Sequence, residues 1–99
     1  MEIRETKVYA MWFARLRDER AKARINARIL RLSLGNPGDA KSVGSGVSEM
    51  RIDYGPGYRI YFIGRGKSLT ILLCGGDKSS LQADIVSAKA LAAGLEDEA

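Results

Sequence analysis

Residues 50–62 restrict the fold more than any other part of the chain. Met50, Ile52 and Tyr54 alternate with Arg51 and Asp53. After Gly55-Pro56-Gly57, Tyr58, Ile60 and Phe62 alternate with Arg59 and Tyr61. A period of two with β-branched and aromatic residues marks half-buried strands. Glycines on either side of a proline suit a tight reversal, because glycine reaches positive φ and proline fixes one corner. A loop over residues 55–57 sets Tyr54 opposite Tyr58, Asp53 opposite Arg59 and Arg51 opposite Tyr61. One face of this hairpin then presents Arg51, Asp53, Arg59 and Tyr61. Two guanidinium groups and a phenol on a rigid ribbon form a surface suited to an anion.

The rest of the chain supplies what such a hairpin packs on. Thr6 is placed to cap a helix over residues 7–17, whose Tyr9, Trp12, Phe13 and Leu16 recur at core spacing. Asp18 recaps the chain for a second helix over about residues 19–34. Ala21, Ile25, Ile29 and Leu32 form one apolar row of that helix, and Ala23, Ala27, Leu30 and Leu34 form another. Two rows predict two packing surfaces, one of them for a partner. Arg20, Arg24, Arg28 and Arg31 line the strip between them, either as a solvated face over apolar surface or as contacts to RNA. Gly35-Asn36-Pro37-Gly38 ends the helix, and residues 39–46 read as a polar loop. Three antiparallel strands follow, over residues 47–54, 58–64 and 67–74. With Arg65-Gly66 as the turn, Leu69, Ile71 and Leu73 join Phe62, Ile60 and Tyr58 on the core face. Gly75-Gly76-Asp77-Lys78-Ser79 lacks the spacing of a Walker phosphate loop. Asp77 or Ser79 caps a last helix with Leu81, Ile85, Ala88, Ala92 and Leu95 on one face, and the tail, residues 96–99, is expected to fray.

At 99 residues this is a single α+β domain. An N-terminal strand over residues 2–5 and a helical hairpin pack on an antiparallel β-meander, with a C-terminal helix. No apolar run is long enough for a membrane span, and the first residues lack the apolar core of a signal peptide, so a cytoplasmic protein without membrane contact is expected. Cys74, the only cysteine, reads as a buried thiol. There is no histidine, which removes the commonest general base and metal ligand. The acidic residues are scattered, so no metal site and no cofactor are expected. Net charge is +4, distributed as +5 over residues 1–34, +2 over 35–78 and −3 over 79–99. A basic body suits an anionic partner.

Three stretches together resemble a known superfamily: residues 34–39 (Leu-Gly-Asn-Pro-Gly-Asp), residues 51–62, and residues 72–79 (Leu-Leu-Cys-Gly-Gly-Asp-Lys-Ser). The chain resembles the RelE/ParE superfamily toxins of bacterial type II toxin–antitoxin systems. It is most similar to the HigB-like subgroup of addiction module killer proteins, over essentially its whole length. The resemblance implies a toxin neutralised by a cognate helix-turn-helix antitoxin in a hetero-oligomer, with the ribosome and mRNA as further partners. It implies metal-independent, ribosome-dependent cleavage of mRNA, in which a 2′-hydroxyl attacks the adjacent phosphate and basic residues stabilise the phosphorane. Arg51, Arg59 and Lys78 are then the catalytic candidates, and Lys41, Tyr61, Arg65 and Lys67 the RNA-binding candidates.

At one point the chain departs from the family pattern. Ribonuclease members often carry a tyrosine or histidine near the start of the final helix, where this chain has Asp84, so no general base is assigned. Two other readings stay open: a non-nucleolytic toxin acting on a protein such as DNA gyrase, as ParE-like relatives do, and a binding module that acts only with its antitoxin. For Arg51 and Arg59 the structural alternative is cross-strand pairing with Asp53 or Glu49.

Overall fold

A computed structural model describes residues 1–98, with side chains through Leu95. The elements are β1 (Glu2–Glu5), α1 (Lys7–Arg15), α2 (Glu19–Ser33), β2 (Ala40–Gly44), β3 (Val47–Arg51), β4 (Arg59–Arg65), β5 (Leu69–Gly76), a single 3-10 turn at Lys78–Ser80, and α3 (Leu81–Glu98). The expectation of a frayed tail concerns residues 96–99, whose side chains and last residue lie outside the described residues. No helix among the described residues is long and apolar enough to cross a membrane.

Capping residues set the helix starts. Thr6 Oγ1 accepts the Tyr9 amide at 3.1 Å, and Asp18 Oδ1 accepts the amides of Arg20 and Ala21. At the end of α2 the Asn36 amide donates to Arg31 O and the Gly35 amide to Leu32 O, the paired bonds of a Schellman stop. Of the two apolar rows on α2, the first is the buried one: Ala21, Ile25 and Leu32 are enclosed, with Ile29 packed beside them. The second row faces solvent, with Leu30 and Leu34 62% and 78% exposed.

The strands form one five-stranded sheet in the order β1-β5-β4-β3-β2. Four strands run as an antiparallel meander, and β1 adds to β5 in parallel. Residues 40–44, expected as loop, are therefore the edge strand β2. Both sheet faces are covered. Tyr9, Ile25, Leu32, Met50, Ile52, Ile60, Phe62 and Leu72 make the core beneath α1 and α2. Val47, Tyr61, Ile63, Leu73 and Cys74 pack under Ala88 and Ala92 of α3. With a helix on each side, residues 59–63 are buried without alternation.

Two registers differ from the expectation. In the β3–β4 hairpin Arg51 lies opposite Arg59, and Glu49 opposite Tyr61. This is a two-residue shift, which keeps every side chain on its face but moves Asp53 off the strand. The seven residues 52–58 form the loop, held by Ile52 N donating to Tyr58 O and Gly57 N to Tyr54 O. In the β4–β5 hairpin the turn is Gly66-Lys67-Ser68, and Ile71 lies opposite Ile63. Ile71 and Leu73 accordingly sit on the α3 side, and Leu72 takes the expected place beside Phe62. The run from Leu69 to Cys74 is apolar at nearly every position, so either register buries it once both faces are covered.

Candidate functional site

The two arginines of the hairpin lie on the α3 face of the sheet, at the end where β3 stops and β4 begins. There the 52–58 loop, the residue before β2 and the turn after β5 enclose a cleft of about 600 Å³. Arg51, Arg59 and Lys78 all line it, with Asp39, Asp53 and the backbone of residues 55–57. Three cations from positions spread over 27 residues of the chain thus meet in one concavity.

Each cation is held differently. Arg51 is exposed and grips Asp39, donating from Nε at 3.2 Å and from Nη2 at 2.9 Å to Oδ1. These bonds hold the Asp39 carboxyl below its usual range and raise the Arg51 guanidinium. Arg59 is buried, donates from Nη1 to Gly57 O at 2.7 Å, and has its Nε 3.7 Å from Glu49 Oε1. Lys78 follows Asp77, whose carboxylate accepts the Ser79 amide, and its own amide donates to Pro56 O at 3.4 Å. Gly57 brings the last two together. Its φ is +77°, and a Cβ there would sit 3.2 Å from Lys78 Cγ and 3.3 Å from Arg59 Nη1. Glycine takes this left-handed φ without strain and leaves room for the Lys78 stem and the Arg59 guanidinium to lie close to the loop.

A second layer supports the cleft. Arg28, expected in a strip on α2, turns inward. Its Nη1 donates to Arg51 O, and its Nη2 to Pro37 O at 3.0 Å. It ties α2, the loop before β2 and the end of β3 into one rim. Arg24 lies over the Tyr54 ring at 4.8 Å, and the Tyr54 hydroxyl donates to Asp18 Oδ2 at 2.8 Å, which raises its pKa.

The RNA-binding candidates separate. Tyr61 is a correction: it has no exposed surface, because α3 covers its face of the sheet. Its hydroxyl donates to Glu49 Oε2 at 3.1 Å, and burial, then the Glu49 charge, push its pKa well above the ordinary phenol value. Arg65 and Lys67 lie at the other end of β4, roughly 20 Å from Arg59 at the strand rise. Lys41 is exposed on β2, opposite Glu49 and outside the cleft lining. The sequence reading missed Asp39 as the partner of Arg51 and Arg28 as the strut. It placed Glu49 among the cross-strand partners, which is where it stands for Arg59. Arg51 pairs with Asp39 instead of Asp53, because the register shift removes Asp53 from the strand. Among the described residues no three carboxylate or thiol groups gather as metal ligands.

A Haemophilus influenzae protein described as an uncharacterized protein is 52% identical to this chain over 92 residues, 93% of each. The chain belongs to that protein's family. No family model matches the chain. Membership carries the fold across the family, while the chemistry has to be argued from the cleft.

Proposed function

We propose that the protein is the toxin of a type II toxin–antitoxin pair, a metal-independent endoribonuclease that cleaves mRNA on the ribosome in the cytoplasm and is held inactive by a helix-turn-helix antitoxin. The observation that carries this reading is the convergence of Arg51, Arg59 and Lys78 on one open cleft. In the reaction the 2′-oxygen forms a bond to the adjacent phosphorus and the bond to the 5′-oxygen breaks, leaving a cyclic phosphate and a 5′-hydroxyl. Negative charge grows on the phosphoryl oxygens on the way. A guanidinium held in place before the substrate arrives stabilises that charge more than it stabilises the ground state. Arg59 is the best-fixed donor and can offer two parallel N–H groups, which lysine cannot.

Cleavage by purified toxin on programmed ribosomes tests this. Arg59→Lys keeps a positive charge beside Glu49 and is expected to lose roughly a hundred- to a thousandfold in rate, the usual cost of one oxyanion donor. A folded Arg59→Lys protein that cleaves at the wild-type rate would remove Arg59 from the mechanism.

One observation favours a non-nucleolytic toxin acting on a protein such as DNA gyrase. None of the three hairpin tyrosines is free to carry a proton in the cleft: Tyr61 is buried, Tyr54 is bonded to Asp18, and Tyr58 packs against Trp12 on the α1 side of the sheet. Mapping RNA 5′ ends after induction separates the two: codon-phased cuts favour the nuclease, and intact mRNA with gyrase-linked DNA breaks favours the inhibitor.

A further inference from the structure

Glu49 is a carboxylate in the middle of β3, 1% exposed, on the sheet face that α3 covers. Burying such a group costs several kcal/mol unless it is paired and hydrogen-bonded. Two residues of β4 meet it. Tyr61, directly opposite, donates its hydroxyl to Oε2, and Arg59, two residues earlier on the same strand, brings Nε to 3.7 Å from Oε1. That separation attracts the charges without making a hydrogen bond, and Arg59 Nε is buried with no hydrogen-bond partner. The guanidinium is thus held from two sides, by the Gly57 carbonyl on Nη1 and by the Glu49 charge beside Nε. Its Nη2 makes no hydrogen bond among the described residues, and Arg59 lines the cleft.

We propose that Glu49 is a positioning residue, which, itself anchored by Tyr61, fixes the plane of the Arg59 guanidinium so that its free N–H groups are set toward an anion in the cleft. The physical reason is the freedom of the arginine side chain. An unrestrained guanidinium on a long stem must be ordered when substrate binds, and that cost falls on the reaction. A buried countercharge fixed to the opposite strand orders it beforehand, and the Tyr61 hydroxyl keeps the carboxylate from turning away. If pairing in the core were their only use, Glu49 and Arg59 could be replaced together by well-packed uncharged groups of similar volume at little cost.

The inference rests on the reading of the cleft as a phosphate site, and the deciding measurement does not depend on cleavage. Nitrogen-15 spectra of arginine side chains report rotation about the Nε–Cζ bond and exchange of the Nε proton. In the wild type, Arg59 should show resolved Nη signals and a slowly exchanging Nε–H. Glu49→Gln keeps the volume and an acceptor for Tyr61, and is expected to average the Nη signals and speed exchange about tenfold or more, the loss of one fixed partner. Tyr61→Phe, which leaves the charge pair in place, is expected to fall between. The double variant should match Glu49→Gln alone, since Tyr61 acts through Glu49. In ribosome-dependent cleavage, Glu49→Gln should lower kcat by up to about a hundredfold while KM changes little. Inorganic phosphate is the binding probe. If it shifts no Arg59 signal while Glu49→Gln still releases the guanidinium, the positioning stands and the phosphate reading fails. If Arg59 stays ordered in folded Glu49→Gln and in Tyr61→Phe, the positioning role is overturned whatever cleavage shows.

Discussion

Arg59 belongs to the core and to the cleft at once, and this changes what its removal does. Arg59→Ala strips the counterion from Glu49, which is almost wholly buried. Breaking a buried pair by deleting one partner typically costs about 3–5 kcal/mol. Urea unfolding of Arg59→Ala should show a loss near the lower end, since the 3.7 Å pair makes no hydrogen bond, and Arg59→Lys should recover part of it. A denaturation midpoint equal to the wild type would mean that Glu49 is compensated elsewhere. Asp39 behaves differently because it is exposed. Its folded pKa lies below the ordinary 3.8, so its pairing with Arg51 favours the folded state above that pH and is lost as pH falls through the depressed value. Melting temperatures measured from pH 5 to pH 2 should therefore fall less steeply for Asp39→Asn than for the wild type. A parallel slope would show that the Arg51 contact does not contribute to acid stability.

Among the elements, α2 has the most uneven faces. Ile25 is fully enclosed, and Ile25→Ala should cost about 2–5 kcal/mol. Leu34 is 78% exposed, and Leu34→Ser should stay within about 0.5 kcal/mol. Equal losses in chemical denaturation would mean that the exposed row is covered in solution. The starts of α1 and α2 were legible in the sequence, because a capping side chain and a 3.6-residue apolar repeat each leave a local mark. The elements that were not legible lacked one. In β2, Ala40, Lys41, Ser42, Val43 and Gly44 form an edge strand with little side chain to bury, so no pattern announces it. In β5 an almost unbroken apolar run fits either register. For the site, alternation placed Arg51 and Arg59 on the correct face. Alternation could not show that α3 would close over Tyr61 further along that face, nor that Arg28 and Asp39 would reach the cleft from a helix and a loop distant in sequence.

Across the whole molecule the sheet is enclosed by helices on both sides, and Cys74 records that enclosure. The residue is 4% exposed, and burial pushes the thiol pKa up to about 12. A raised pKa stabilises the folded state fully below the ordinary value of 9.0 and is lost as pH rises from there through the folded value. At pH 8 a thiol reagent should label Cys74 no faster than the protein opens, and at once in denaturant. Fast labelling of native protein would place α3 off the sheet in solution. The parallel pairing of β1 with β5 also sets an order in time. Glu5 is made 67 residues before Leu72, the residue it pairs with on the adjacent strand. At about 5–20 residues per second that interval lasts roughly 3–13 s. Through it the first strand has nowhere to dock, and α1 behind it lacks the surface it packs on. During translation the nascent chain cannot close its sheet until β5, the last of its five strands, has been made.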